Sequence, residues 1–344
     1  MRDLIRPATT VALLTFFGTW LVIAVYRRNL VLDIPSARSS HTVPTVRGGG
    51  LALAMAMLIG LGLVPTYRQD HVGLLLLGTV LFTAVGLADD LHDLRPLVRL
   101  CLQLVASSLT LPSLFAAVTV SSPTRVVLTI LAFIALVGFV NAFNFMDGIN
   151  GISGVHAIVM GGGFALIGHD QQQGFLVVSG VLAAAAGAAF LPWNFPRARC
   201  FLGDAGSYAL GSWFVLTFLI GIREGVAVDV MVAPLFVYGV DTGVTLLRRI
   251  LTGAVWYESH REHVYQRLSE AGGWTHGRTT AFVATTSMIG VGLGLACAHS
   301  TGALRVVVWL AAGGLAVLYA LSAGLKRRLH TTAEEPAAVL SESR

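Results

Sequence analysis

The sequence predicts an all-α integral membrane protein with about eleven transmembrane helices. Of its 344 residues, 55% are hydrophobic and only 12% are charged, and its mean hydropathy is +0.75. Soluble globular chains carry about 25% charged residues, so the composition excludes a soluble protein. Apolar runs that can cross a bilayer, about 17 to 25 residues each, recur along the chain, the sixth being short. They cover residues 9–26, 48–66, 71–88, 98–118, 125–141, 154–168, 174–191, 206–221, 226–246, 279–298 and 303–325.

Positive charge divides the predicted loops into two sets. Seventeen of the 23 lysines and arginines lie on one side of the predicted helices. The six on the other side are Arg2, Arg6, Arg68, Arg125, Arg223 and Arg305. Because short loops rich in Lys and Arg stay in the cytoplasm, we predict an external N-terminus and a cytoplasmic C-terminus. The first run resembles a signal peptide, but it ends in Tyr26-Arg27-Arg28 without a small-residue cleavage site, so we predict an uncleaved span.

We expect one multi-pass catalytic domain over residues 1–330 and a disordered cytoplasmic tail over residues 331–344. The tail is rich in Thr, Ala, Glu, Ser and Pro, a composition typical of disorder. The net charge of +5 comes mostly from cytoplasmic loops, where it suits anionic lipid head groups and phosphorylated ligands rather than nucleic acid. The three cysteines have no spacing that favours a disulfide or a metal site. The sequence therefore predicts a protein of the cell (inner) membrane with anionic ligands.

Residues 141–151 place polar groups at the end of an apolar helix. Asn141, Asn144 and Asp147 recur every third residue, so on a helix they share one face about 120° wide. Gly148 follows directly, where the backbone can turn sharply or approach a ligand closely. The segment is a candidate binding site, and an ordinary polar helix cap is the alternative.

Two further segments place carboxylates at a predicted membrane boundary. Asp89 and Asp90 end the third apolar run. Adjacent carboxylates there repel each other and resist desolvation, so they persist mainly where a cation or a proton transfer compensates; a solvated loop is the alternative. Asp204 lies between Gly203 and Gly206 at the start of the eighth run. That position suits a carboxylate that holds a hard divalent cation, and an ordinary N-cap is the alternative.

Two basic loops are predicted on the same face. Arg47 precedes three glycines, and exposed backbone N–H groups and a guanidinium both suit phosphate; an ordinary positive loop is the alternative. His260 and His263 would share a helix face with Arg267 close by. A zinc site lacks a third ligand, Arg261 and Arg267 favour an anion, and an amphipathic helix on the lipid surface is an equal alternative. Asp241, inside the ninth run, either supports the site or pairs with neighbouring arginines.

Five polar segments thus fall on the predicted cytoplasmic face. They are residues 33–50, 89–90, 141–151, 194–207 and 260–267. Carboxylates, a glycine-rich turn and basic side chains together are typical of metal-assisted phosphoryl transfer. A lipid or solute transporter with a cytoplasmic phosphate site is the alternative, but transporters more often place ionisable residues near the bilayer midplane, where this chain has few.

Three ordered motifs carry a resemblance to a known family. They are Gly86-x-x-Asp89-Asp90, Asn141-x-x-Asn144-x-x-Asp147-Gly148 and Phe201-Leu202-Gly203-Asp204-x-Gly206-Ser207. They resemble the polyprenyl-phosphate N-acetylhexosamine-1-phosphate transferases of the glycosyltransferase family 4 type, and the resemblance runs from about Asp33 to Leu268. The branch that initiates lipopolysaccharide O-antigen synthesis is most similar in three segments. These are Ser39-Ser40-His41, Arg47-Gly48-Gly49-Gly50 and residues 260–266.

The resemblance implies a reaction. It implies transfer of an N-acetylhexosamine 1-phosphate from a UDP-sugar to undecaprenyl phosphate, with release of UMP, as the first membrane step of a cell-surface polysaccharide pathway. It also implies Mg²⁺ as cofactor, with Mn²⁺ as the alternative metal. Nucleic acid is not an expected partner, and a homodimer is left open beside a monomer.

The resemblance further implies roles for the matching residues. Asp204 and Asn144 are assigned to the metal, and Asp89, Asp90 and Asp147 to catalysis. Substrate binding is assigned to Asn141, Asn194, Phe201, His260, Arg261, His263 and Arg47, with Asn194 and Phe201 at the positions that hold the nucleobase. Asp89 takes the last proton of the acceptor, orients it or forms a covalent intermediate, and the residues leave these alternatives open. The chain departs from the family at Asn150, where many relatives have Asp.

Overall fold

The computed structural model is built almost entirely of helices, which confirms the all-α membrane class. It describes residues 2–28, 32–33, 44–64, 69–115, 121–255, 260–270 and 272–341. The helices in this part of the chain are α1 (Arg2–Arg28), α2 (Gly49–Gly62), α3 (Gln69–His92), α4 (Pro96–Phe115), α5 (Ser122–Met146), α6 (Ile152–Asp170), α7 (Gly174–Asn194), α8 (Gly203–Arg223), α9 (Val228–Met231), α10 (Phe236–Leu251), α11 (Val264–Ser269), α12 (His276–Ala298) and α13 (Gly302–Ser341).

Nine helical segments of the described chain are long and apolar enough to cross a membrane. They are α1, α3, α5, α6, α7, α8, α9 with α10, α12 and α13. The apolar parts of α2 and α4 are shorter, Gly49–Gly62 and Pro96–Pro112. Each of the eleven predicted apolar runs therefore corresponds to helix, and the protein is a multi-pass membrane protein. The count of eleven crossings and the sides of the two termini stay predictions.

The ninth apolar run is interrupted. It consists of α9, a 3₁₀ turn over Ala233–Leu235 and α10. Pro234 lies within the turn, and because proline has no N–H and its ring clashes with a preceding carbonyl, an α-helix does not continue regularly through it. The run predicted over residues 226–246 is thus two helices joined by a 3₁₀ turn.

The last helix, α13, is described by its backbone as far as Ser341. Its side chains beyond Gly324 and residues 342–344 lie outside the described residues. The single catalytic domain and the disordered tail over residues 331–344 stay predictions. Residues 34–43, which include the Ser39-Ser40-His41 segment, also lie outside the described part.

A small sheet joins the N-terminal segment to the start of α8. Strand β1 (Leu32–Asp33) pairs antiparallel with β2 (Thr45–Arg47), and β2 pairs in parallel with β3 (Cys200–Phe201). Val46 lies opposite Cys200 in this register, and both are buried. No strand was predicted here, because segments of two or three residues are too short to show an alternating pattern.

Helix α8 lies at the centre of the helices. Of its apolar window, 83% is buried, the largest share among the nine described spans. Trp213 is fully buried and donates its Nε1–H to the carbonyl of Ser179 in α7, at 3.0 Å. Neighbouring helices α2, α3, α5 and α7 pack around it. The first turn of α8, which carries Asp204, is therefore held on several sides.

Candidate active site

Strands β2 and β3 place two helix N-termini side by side. Each strand leads directly into a helix, β2 into α2 and β3 into α8. The φ angle of Gly48 is +112° and that of Gly203 is +77°, which other residues rarely adopt. Because the strands are parallel, the two helices begin next to each other, and Gly50 N donates to the carbonyl of Leu202 at 2.8 Å. Asp204 in the first turn of α8 is thereby brought to the end of β2.

Glycines let the backbones around Asp204 touch. A Cβ on Gly50 of α2 would lie 2.1 Å from the Cα of Gly206 in α8. A Cβ on Gly86 of α3 would lie 2.2 Å from the backbone oxygen of Asp204. No side chain fits at such distances. The glycines of three separate motifs therefore bring α2, α3 and α8 into contact, and Asp89 and Asp90 of α3 come with them.

The glycine run after Arg47 is used within the fold. Gly48 N donates to Phe201 O at 3.2 Å, and Gly50 N donates to Leu202 O. The expectation that these N–H groups are free for phosphate is wrong for both, because the parallel strand pairing extends into the start of the helices. Phosphate recognition in this loop is left to Arg47.

Arg47 joins two carboxylates of the cluster. Its Nε donates to Asp90 Oδ1 and its Nη2 to Asp204 Oδ2, each at 2.8 Å. A guanidinium suits this double contact, because its N–H groups form a rigid planar fork. The Arg47 side chain is 37% exposed, whereas those of Asp90 and Asp204 are 8% and 13% exposed. The predicted substrate-binding arginine thus faces solvent on one side and the acidic residues on the other.

Asp90 also closes the N-terminus of α8. Its Oδ1 accepts the backbone N–H of Asp204 at 2.8 Å, and its Oδ2 that of Ala205 at 2.9 Å. The first N–H groups of a helix have no partner within the helix, and the helix dipole favours a negative charge beside them. Asp90 therefore positions Asp204, and its predicted catalytic role stays a prediction beside this structural one.

Asp89 is held by two contacts. Its Oδ1 accepts the N–H of Leu94 at 2.9 Å. Its buried Oδ2 lies 3.1 Å from Arg99 Nη1, so an ion pair compensates the charge of Asp89. The two side chains thereby join α3 to α4 beside the acidic cluster.

Helix α5 contributes Asn144 and Asp147. Asn144 Nδ2 donates to Asp204 Oδ1 at 2.8 Å and to Ser207 Oγ at 2.9 Å. Asp147, half-buried at the C-cap of α5, accepts from Ser153 Oγ at 2.6 Å. Burial raises the pKa of Asp147 from the usual 3.8 to about 7. Asp147 therefore exchanges a proton close to neutral pH, as a general acid or base requires.

The oxygen donors suit a hard divalent cation, although their placement does not form a metal cage. Mg²⁺ prefers carboxylate and amide oxygens, which Asp89, Asp204 and Asn144 carry. Within the described chain, no three His, Cys, Asp or Glu side chains are arranged to hold a metal ion, since Arg47 faces Asp90 and Asp204. The Mg²⁺ or Mn²⁺ assignment to Asp204 and Asn144 stays a prediction.

Two asparagines predicted to bind substrate have structural partners instead. Asn141 Nδ2 donates to Gln103 Oε1 at 2.7 Å, and Gln103 Nε2 returns a bond at 3.3 Å. Asn194 is buried, accepts the N–H of Gly151 at 2.6 Å and donates to the carbonyl of Cys200 at 3.0 Å. Asn141 thus joins α5 to α4, and Asn194 joins α6 to β3. Their hydrogen bonds do not reach the carboxylates, and nucleobase binding by Asn194 stays a prediction.

Phe201 and Asn150 lie at the edges of the site. Phe201 is half-buried and opposite Arg47 in the β2–β3 register, so its ring can meet a ligand that Arg47 binds. Asn150 Nδ2 donates to the carbonyl of Pro196 at 3.2 Å. An aspartate could not donate this bond in its charged form, which gives a local reason for the amide at this departure from the family pattern.

Asp241 fixes the loop that contains the two histidines. Fully buried in α10, it accepts from His263 Nδ1 at 2.9 Å and from the backbone N–H groups of Val264 and Tyr265 at 3.0 and 3.2 Å. The alternative, pairing of Asp241 with neighbouring arginines, is not seen. Arg248 and Arg249 instead bind Glu262, at 2.9 and 2.5 Å.

The loop is not an amphipathic surface helix. Helix α11 begins only at Val264, so His260 and His263 do not share a helix face, although their rings stack at 5.0 Å. Val264, Tyr265 and Leu268 are buried rather than laid on lipid. The helical prediction failed because Asp241, distant in sequence, binds the N–H groups at the start of α11.

The charges on this loop are partly compensated. Arg261 Nη1 lies 3.0 Å from Glu270 Oε1, so phosphate binding by Arg261 would replace this ion pair. Burial, followed by the charge of His263, lowers the pKa of His260 to about 4. His260 is therefore neutral at pH 7 and offers hydrogen bonds rather than charge to a phosphate.

Comparison with known proteins agrees with the motifs. Residues 72–222, from α3 to α8, match glycosyl transferase family 4. The chain is 28% identical over 313 residues to the decaprenyl-phosphate N-acetylglucosaminephosphotransferase of Mycobacterium leprae, covering 79% of this chain and 78% of that protein. The chain is thus similar in sequence to this superfamily. The matched residues contain Asp89, Asp90, Asn144, Asp147 and Asp204, whereas Arg47 and the 260–268 loop lie outside them.

Two further relatives have similar names. A probable undecaprenyl-phosphate N-acetylglucosaminyl 1-phosphate transferase of Bacillus subtilis is 24% identical over 260 residues, 70% of each chain. An undecaprenyl-phosphate alpha-N-acetylglucosaminyl 1-phosphate transferase of Thermotoga maritima is 29% identical over 205 residues, 59% of this chain and 61% of that one. The superfamily prediction is confirmed, and the O-antigen branch stays a prediction.

Several residues near the family motifs escaped the sequence analysis. Arg99 and Gln103 lie four residues apart in α4, one contacting Asp89 and the other Asn141. Polar residues spaced i, i+4 share a helix face, and in an apolar run this was the available signal. Phe145, 45% exposed, has its ring 5.8 Å from that of His263. No sequence pattern indicated that Phe145 lies near the site, because a phenylalanine in an apolar helix is ordinary.

Proposed function

We propose that this protein transfers N-acetylhexosamine 1-phosphate from a UDP-N-acetylhexosamine to undecaprenyl phosphate, giving a polyprenyl-diphosphate-linked sugar and UMP. The observation that carries the proposal is the convergence of Asp89, Asp90 and Asp204 with Asn144 at one end of the membrane helices. Relatives named as polyprenyl-phosphate N-acetylglucosamine-1-phosphate transferases support it. The reaction is a phosphotransfer between a soluble donor and a lipid acceptor.

The chemistry is a displacement at phosphorus. An oxygen of the acceptor phosphate forms a bond to the sugar-bearing phosphorus of the donor, and the bond from that phosphorus to the UMP oxygen breaks. Two anions must meet, so positive charge is required at the site. Arg47, which contacts Asp90, and Arg99, which contacts Asp89, supply this positive charge. Mg²⁺, when bound, reduces the repulsion further and stabilises the departing UMP.

Each carboxylate has a distinct task in this scheme. Asp204 and Asn144 would hold Mg²⁺, and Asp90 keeps the first turn of α8 in place through two N–H contacts. Asp89, paired with Arg99, takes the last proton of the acceptor phosphate or orients it. Asp147, whose pKa burial raises to about 7, exchanges a proton with the reacting phosphates. Phe201 and Arg47 bind the donor.

The relatives also support finer statements about substrate and pathway. All three names specify N-acetylglucosamine, so we propose UDP-N-acetylglucosamine as the donor. The acceptor is undecaprenyl phosphate in two names and decaprenyl phosphate in one. The product would begin a cell-surface polysaccharide, such as lipopolysaccharide O-antigen, at the cell (inner) membrane.

The test is release of UMP by detergent-purified protein. The protein is given undecaprenyl phosphate, Mg²⁺ and, in separate reactions, a panel of UDP-sugars, and UMP and the lipid product are measured. UMP formation with UDP-N-acetylglucosamine that ceases with excess EDTA and returns with Mg²⁺ is expected. No UMP from any UDP-sugar, together with sugar-independent flux of lipid or solute in liposomes, would overturn the proposal in favour of the transporter.

A further inference from the structure

We propose that Asp241 and Tyr319 form a buried latch that positions His263 against the reacting phosphates. The inference rests on the proposed function, because it assigns two membrane-buried residues to the positioning of one substrate-binding side chain. Neither residue touches substrate. Both act through His263, which directly precedes α11.

The latch is a carboxylate surrounded by donors. Asp241 Oδ1 accepts from His263 Nδ1 and Val264 N, and Oδ2 accepts from Tyr265 N at 3.2 Å and from Tyr319 Oη at 2.7 Å. Asp241 is fully buried and Tyr319 is 1% exposed. A buried carboxylate is tolerated when hydrogen bonds satisfy it. Both oxygens of Asp241 therefore have hydrogen-bond donors, from the loop and from α13.

These contacts fix which nitrogen of His263 is free. Since Asp241 Oδ1 accepts from Nδ1, that nitrogen carries the hydrogen, and Nε2 is the acceptor nitrogen of the ring. A carboxylate behind an imidazole selects the tautomer and the ring orientation in this way. The side chain of His263 is 3% exposed, so it has little freedom to reorient once the bond is made.

Tyr265, whose backbone N–H is bound by Asp241, also contacts the end of α5. Tyr265 Oη donates to the carbonyl of Phe145 at 2.8 Å. A Cβ on Gly148 would lie 2.1 Å from the same hydroxyl oxygen, so the loop is packed directly against the segment that contains Asn144 and Asp147. The ring of His263 lies 5.8 Å from that of Phe145. Asp241 therefore sets the place of His263 relative to the predicted catalytic residues.

Tyr319 makes the last membrane span part of the site. It belongs to α13, and its ring stacks on Phe282 of α12 at 5.9 Å with an interplanar angle of 12°. The stacking holds the ring independently of the hydroxyl. Tyr319→Phe therefore removes the hydrogen bond to Asp241 while it keeps the packing.

The decisive experiment is a double-mutant cycle in the UMP-release assay. Tyr319→Phe is expected to lower kcat about tenfold, the order expected for a lost hydrogen bond to a charged group, with KM for undecaprenyl phosphate unchanged. His263→Ala is expected to lose more. In the double variant, Tyr319→Phe should add nothing, because its effect passes through His263.

Matched controls separate the latch from general stability. Thr242 follows Asp241 in α10, and its hydroxyl oxygen has no hydrogen-bond partner among the described residues, so Thr242→Val should keep wild-type kcat. Trypsin provides a readout besides activity: cleavage after Arg261 should be faster in Tyr319→Phe and Asp241→Asn than in wild type or Thr242→Val. The melting temperature of each variant checks that it is folded.

Two outcomes would overturn the latch. One is an additive loss in the double variant, which would mean that Tyr319 acts independently of His263. The other is unchanged kcat and unchanged tryptic cleavage in Tyr319→Phe. Failure of the proposed function is distinct, because then wild type itself releases no UMP while the cleavage comparison can still be read.

Discussion

Arg47 lies where the charges of the acidic cluster require a cation. Its guanidinium is shared by Asp90 and Asp204, so two carboxylates that would repel each other are held together. The rest of the Arg47 side chain is open to solvent. Under the proposed function, a divalent ion at Asp204 would compete with Arg47 for the same carboxylate.

Asp204→Asn is expected to abolish UMP release without unfolding the protein. The amide keeps the shape of the side chain but removes the charge that a divalent cation and Arg47 need. The measurement is the initial rate at saturating Mg²⁺, with the melting temperature as a check on folding. Asp170→Asn is the matched control, since Asp170 pairs with exposed His299 at the other end of the helices. A rate within tenfold of wild type, a barrier change of only about 1.4 kcal/mol, would remove Asp204 from the metal site.

Asp147→Asn is expected to stabilise the protein in a pH-dependent way. Burial raises the pKa of Asp147 from 3.8 to about 7, so between these values the folded state holds a proton that the unfolded chain has lost. Stability from this group is therefore highest at low pH and falls as pH rises toward 7. The asparagine amide does not ionise in this range, so its contribution to stability does not fall as pH rises. The melting temperature of Asp147→Asn should exceed that of wild type more at pH 8 than at pH 5, and an equal difference at both pH values would contradict the raised pKa.

At the scale of elements, contact between helix backbones decides whether the site forms. Gly50→Ala would place a Cβ 2.1 Å from the Cα of Gly206, and overpacking of this kind costs about 1 to 3 kcal/mol or more. Helix α2 offers its own control, because a Cβ on Gly62 would meet nothing within 4 Å. We expect Gly50→Ala to lower both melting temperature and activity, and Gly62→Ala to match wild type. Equal behaviour of the two variants would show that α2 can move away from α8 at little cost.

Hydropathy was sufficient to predict the helices, and spacing was sufficient to predict Asp89, Asn144 and Asp204 as neighbours of a common site. Both signals are local in sequence. Partners far along the chain could not be predicted: Asn194 is held by Gly151 and Cys200. The same limit explains the missed strands, whose pairing is defined only when β2 meets β3. The interruption of the ninth run at Pro234 was also missed, because hydropathy averaged over a whole segment does not register a single proline.

The structural features of the 260–268 loop show this limit most clearly. His260 and His263 have helical spacing, yet the helix begins after them because Asp241 satisfies the first N–H groups of α11. No residue close to the loop in sequence indicates that Asp241 lies against it. Local propensity is a weak guide where a distant charged group supplies the cap.

At the scale of the whole molecule, the predicted orientation can be checked by labelling. With the exposed Cys101 replaced by serine, Gln172→Cys between α6 and α7 should react with a membrane-impermeant maleimide on intact cells. Arg197→Cys, between α7 and β3, should react only after permeabilisation, because the arginine-rich loops are predicted to be cytoplasmic. The opposite pattern would invert the topology and place the acidic cluster outside the cell.

The parallel pairing of β2 with β3 has a consequence for biogenesis. A ribosome releases the chain from its N-terminus, and domains form in the order of synthesis. Strand β2 enters the membrane region early, yet its partner β3 follows six later helices, α2 to α7. Until β3 and the first turn of α8 have been translated, Arg47 and Asp90 have no Asp204 to meet, and the acidic cluster is incomplete. Under the proposed function, a nascent or truncated chain that ends before α8 would therefore have no transferase activity.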